Sequence, residues 1–193
     1  MRLRDLIDWP RAYLPDDASR PVSISLASGT EREAQGRDQL LLLLDRYDLN
    51  RWQFTSRVRI EEGVTPHSHP VLTLNTRYPD DDLLALGTYL HEQLHWFVWR
   101  RKHEKRGALI DLKARYPDPP IAFPEGAGDE DSSYLHYLVC YLEYWSLIEI
   151  VGVEEAHRVI DVWCTSRYTD IYKTLLRDFD AIGEIARRHE LVP

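Results

Sequence analysis

The chain has 193 residues, enough for one domain with a substantial core and marginal for two. Hydrophobic residues make up 44% and charged residues 29%, which excludes a disordered or low-complexity protein. A formal charge of −8 argues against a nucleic-acid binder, which would carry a basic face, and no run approaches the roughly 18 apolar residues needed to span a bilayer.

The opening segment, MRLRDLIDWPRAYLPDD, reads as irregular; Asp5, Asp8 and Pro10 interrupt the apolar run that a signal peptide needs. Two cysteines, Cys140 and Cys164, are too few for a disulfide framework, so the expected location is cytoplasmic. Residues 20–28 alternate as a strand, with Val22, Ile24 and Leu26 on one side. A helix is predicted over 31–47, with Thr30 as N-cap and Glu33 completing a capping box. Strands follow at 52–60 and 69–76, the latter with Leu72 and Leu74 toward the core and Val71, Thr73 and Asn75 opposite; Pro70 favours an edge position.

Pro79 and the aspartates 80–82 start a long helix that is expected to run to about Lys105. A short helix over 108–116 ends at a proline-rich stretch, and GDEDSS (128–133) caps the first of three further helices, at about 131–151, 153–163 and 169–190. The expected architecture is α+β and a single domain over 1–193. Residues 1–105 form a small sheet of about three strands, a backing helix and the long helix; residues 106–193 form a helical half.

The long helix contains YLHEQLHWFVW (89–99). His91 and His95, four residues apart, share a helix face about 6 Å apart along the axis, so both can reach one ion. Glu92, rotated by about 100°, flanks such an ion and is placed to act as base on a zinc-bound water. Gly87, one turn earlier, suits a close backbone approach or a packing contact. The competing reading is a pair of core histidines with an incidental glutamate.

On these residues the chain resembles the zincin metallopeptidases, whose signature is His-Glu-x-x-His on an active-site helix. Zincins also place a small sheet and a backing helix before that helix and the third ligand after it. The likeness covers roughly residues 20–145, and only the five-residue motif is specific. It implies a Zn2+ cofactor and a peptide or protein substrate. The metzincin pattern is excluded, because Val98 and Arg101 occupy its glycine and histidine positions, and His103 lies two residues too far in a basic run.

A gluzincin-like arrangement takes the third ligand from a later helix, here 132–147. His136 and Glu143 share a face but lie about 10 Å apart along the axis, so one binds and the other supports a ligand imidazole. His136 as ligand with Glu143 as its supporting carboxylate is favoured, and the reverse stays open; Cys140, between them, is less suited because a thiolate damps zinc's Lewis acidity.

The resemblance also implies an edge strand that holds extended peptide, with His67, His69 and Asn75 near the cleft as substrate or oxyanion contacts. Tyr134, Tyr137 and Tyr144 are other possible oxyanion donors, while His157 and His189 read as solvated helix positions. The functional expectation is a zinc-dependent hydrolase, a small cytoplasmic metallopeptidase without nucleic-acid or membrane partners. The alternatives are a zincin-like metal-binding protein without peptidase activity, or a helical interaction domain with structural histidines.

Overall fold

In the computed structural model, which describes residues 21–193, the alternation of Ile24 and Leu26 with two serines becomes β1 (Ser23–Leu26), its apolar side chains half-buried and its serines exposed. The irregular opening and the signal-peptide reading lie outside the described residues. A turn through Gly29, at φ +71°, leads into α1 (Glu31–Arg46). Thr30 caps it as expected, its side-chain oxygen accepting from the Glu33 amide. The Glu33 carboxylate reaches further back than a capping box: one oxygen accepts from the Ser28 and Gly29 amides at 2.8 and 2.7 Å, the other from the Glu62 amide at 3.3 Å. One buried carboxylate therefore ties the start of α1 to the chain leaving β1 and to the chain leaving the next strand.

That strand, β2 (Arg57–Ile60), is shorter than predicted, because Asn50–Trp52 winds into a 3-10 turn that buries Trp52. β3 (Leu72–Leu74) completes a sheet of order β1-β2-β3 in which both pairs are parallel, with α1 packed on β1 and β2. Val58, Ile60, Leu72 and Leu74 face inward with Leu40 and Leu43 of α1. Pro70 precedes an edge strand, as predicted. Thr73, expected on the open face, is buried, and its amide and carbonyl bond to those of His67 at 2.8 and 3.0 Å.

The long helix, α2, runs Asp82–Arg100. Asp81 caps it, its carboxylate accepting from the amides of Leu83 and Leu84. It ends five residues earlier than predicted. Arg101 leaves helical geometry; its guanidinium lies 3.8 Å from the Phe97 ring centre and donates to the Phe97 carbonyl, one of the carbonyls a helix end leaves without an intrahelical partner. Residues read as the tail of α2 instead begin α3 (Lys102–Arg115).

There follow α4 (Glu130–Val151), capped by Asp129, and α5 (Val153–Ser166), joined through Gly152 at φ +85°. The last predicted helix divides at Asp178 into α6 (Thr169–Arg177) and α7 (Phe179–Arg188); the Asp178 carboxylate accepts from Tyr116 and Arg177 there. The fold is α+β and mostly helical. The chain divides into two compact units, one ending at Trp96 and one spanning Phe97–Pro193. In the second, α4 is the central element, packed against α3, α5, α6 and α7. No helix among the described residues is long and apolar enough to cross a membrane.

The amide bonds to Glu33, that from Ser28 foremost, hold its carboxyl below the ordinary 4.5. A depressed folded-state pKa contributes stability that is complete above the unfolded value and is lost as pH falls through the folded one. Glu33→Gln is therefore expected to flatten the loss of stability below about pH 4.5, measured by urea denaturation across pH 3–6.

Candidate metal centre

From Leu86 to Leu94 every residue of α2 is buried, so this stretch has no solvated face and each polar side chain in it needs an internal partner. Gln93, fully buried, has four. Its Oε1 accepts from the amides of Phe54 (2.7 Å) and Thr55 (2.9 Å), and its Nε2 donates to the Thr55 carbonyl and the Tyr89 hydroxyl, both at 2.9 Å. The motif helix is thereby locked in rotation against the chain entering β2. Trp96, three residues on, donates from Nε1 to the Ser68 carbonyl at 2.8 Å.

With α2 so fixed, His91 is buried and His95 half-buried. Their Nε2 atoms lie 3.2 Å apart, with ring centres at 4.9 Å and planes at 69°. Two nitrogens each about 2.05 Å from a tetrahedral zinc are separated by about 3.3 Å. The pair therefore already has the spacing of two ligands on one ion, and both rings present the same nitrogen. Glu92 is buried between them in sequence.

In the second unit, α4 carries the other predicted residues. His136 is buried, and its Nδ1 bonds to the Ser132 carbonyl one turn earlier at 2.7 Å. A carbonyl only accepts, so the proton sits on Nδ1 and Nε2 keeps its lone pair. Burial pulls the imidazole pKa down to about 4, so the ring is neutral at neutral pH. The Tyr168 ring, from a residue at φ +50°, packs 4.2 Å from it.

Glu143, expected either to support His136 or to take its place as third ligand, accepts from Trp163 Nε1 at 2.8 Å and from the Tyr172 hydroxyl at 2.7 Å, while the Ser132 carbonyl holds Nδ1 of His136. A helix's own i−4 carbonyl is the nearer acceptor, and burial leaves Glu143 needing donors of its own. Burial also pushes its pKa up to about 7 and the thiol of Cys140 well above its usual value.

The residues assigned to substrate contacts have local partners. Both backbone groups of the buried Thr73, in the three-residue β3, pair with His67, which also bonds the Thr65 carbonyl. His69 stacks on Trp96 at 4.1 Å and bonds Ser68. Asn75 ties Val64 to Arg77 within its loop. Of the tyrosines, Tyr134 donates to the Tyr116 carbonyl, Tyr137 stacks on Tyr116 and Tyr144 meets His157. His103 is exposed, whereas His189, read as solvated, is partly buried and bound to Asp111 at 2.9 Å.

Sequence reasoning missed Gln93, Trp163 and Tyr172. Gln93 had a signal, an amide amid apolar helix positions; the other two lie 20 and 29 residues from Glu143 with no periodic relation to it.

Comparison of the chain with known protein families, with curated proteins and with solved structures finds no match.

Replacing Gln93 by leucine keeps the volume and leaves two amides and one carbonyl without their partner. Gln93→Leu is expected to destabilise the protein by about 3 kcal/mol, at about 1–3 kcal/mol per buried unsatisfied group after partial relaxation, measured by urea denaturation.

Proposed function

We propose that the protein is a zinc-dependent hydrolase, a small cytoplasmic metallopeptidase in which His91 and His95 hold the ion, His136 is the third ligand on the strength of the sequence, and Glu92 is the general base. The observation that carries this reading is the 3.2 Å separation of the two Nε2 atoms on α2, which suits chelation. His136 suits the third position because it is a neutral imidazole with its proton on Nδ1, the form in which an imidazole binds a metal through Nε2. Zinc, when bound to such a set, polarises a carbonyl and brings the pKa of water toward 7.

Glu92 takes the proton of the attacking water and returns it to the leaving amine. A buried carboxylate suits this work, since few waters compete for its proton. The helix holding it is fixed by Gln93, so Glu92, His91 and His95 keep one relative placement.

A second reading, a metal-binding protein that does not cleave peptides, is favoured by one observation. The outer edge of β3 is already paired with His67, so a peptide cannot add there as a strand while that pairing persists.

Metal analysis by mass spectrometry on protein purified without chelator is expected to show one zinc per chain in wild type and in Glu92→Gln. Losses of at least tenfold in affinity are expected for His91→Ala and His136→Ala, with Glu143→Gln retaining the metal. Zinc-loaded protein is then expected to hydrolyse a denatured protein substrate, with Glu92→Gln at least 100-fold slower. Zinc with no turnover supports the second reading, and absence of zinc after reconstitution overturns both.

A further inference from the structure

Between α3 and α4 runs an open groove of about 590 Å³, lined by Leu109, Ile110 and Leu135 along its floor and by Lys105 and Arg106 at one end. Its volume is within the range of about 300–1,000 Å³ that takes a small ligand or a few side chains. Ile110 is 60% exposed, a large apolar side chain left in water beside two half-buried leucines. At the other end Lys113 faces two carboxylates, Asp131 at 2.8 Å and Glu130 at 3.7 Å, so that end is net acidic and the cationic contacts for a carboxylate lie at the Lys105 end.

The cationic end differs. Residues 100–106, RRKHEKR, carry five cations against the single carboxylate of Glu104, in a chain whose net charge is −8. Neither Lys105 nor Arg106 has an ion-pair partner among the described residues. Lys105 is partly buried, and burial together with the Lys102 ammonium holds its pKa below the ordinary value, so a carboxylate beside it would be favoured.

We propose that this groove docks a short acidic, leucine-containing peptide segment, its apolar side chains on Leu109, Ile110 and Leu135 and a carboxylate between Lys105 and Arg106. Charge complementarity selects the occupant. A second copy of a chain at −8 is repelled overall, while an acidic segment is drawn to the one cationic cluster the groove presents. The proposal is independent of metal binding.

The test is fluorescence anisotropy with the full chain and a fluorescein-labelled octapeptide, Asp-Glu-Leu-Asp-Glu-Leu-Asp-Leu, beside its counterpart with lysine at every acidic position. Saturable binding of the acidic peptide alone is expected. It should weaken at least tenfold in Lys105→Glu/Arg106→Glu and in Ile110→Asp, the latter at an exposed position, and weaken again from 50 to 300 mM salt. No saturable binding, equal binding of the lysine peptide, or unchanged affinity in both variants would overturn the proposal. So would a concentration-dependent dimer in sedimentation that Ile110→Asp abolishes, since the groove would then be covered by a second copy.

Discussion

Gln93 uses all four of its hydrogen-bonding positions on partners within the protein, and three of them are backbone groups of Phe54 and Thr55. This carboxamide fixes the rotation of α2 about its own axis at the one point where rotation matters. A turn of a few tens of degrees would leave two amides and a carbonyl unpaired inside the protein, at about 1–3 kcal/mol each. His91 and His95 are two residues to either side, so their facing Nε2 atoms inherit the same constraint. Gln93, one of the two unassigned positions of the His-Glu-x-x-His pattern, thus fixes the placement of His91, Glu92 and His95.

A comparable division of labour runs through α4. His136 takes its orientation from a carbonyl of its own helix, which needs no partner from elsewhere and fixes the proton on Nδ1. Glu143, seven residues on, is committed to Trp163 of α5 and Tyr172 of α6, binding those two helices to the central one. Two polar residues on one face therefore have different work: one is held by its own helix with the proton on Nδ1, the other joins helices at a buried carboxylate.

Much of this was legible in the sequence where local chemistry decides the outcome. The Thr30 cap, the Asp129 cap and the edge position after Pro70 each depend on neighbours within a few residues, and each appears in the structure. The spacing of His91 and His95 predicted a shared face because the helical period alone sets it. What sequence reasoning could not supply has no signature in residue spacing. The break at Arg101 follows from a guanidinium folding over Phe97, with no glycine or proline to announce it. The pairing of Thr73 with His67 depends on the path of the chain through 63–71, and no alternation pattern encodes that path. The donors to Glu143 come from α5 and α6, 20 and 29 residues away, and no local pattern announces them.

The central claim is that histidine nitrogens hold zinc beside Glu92. Zinc-edge X-ray absorption on the loaded protein tests it most directly. Three imidazole nitrogens and one further light ligand at about 2.0–2.1 Å, with loss of imidazole scattering in His136→Ala, are the predicted result. A sulfur shell at about 2.3 Å, or a shell of oxygens alone, would contradict it.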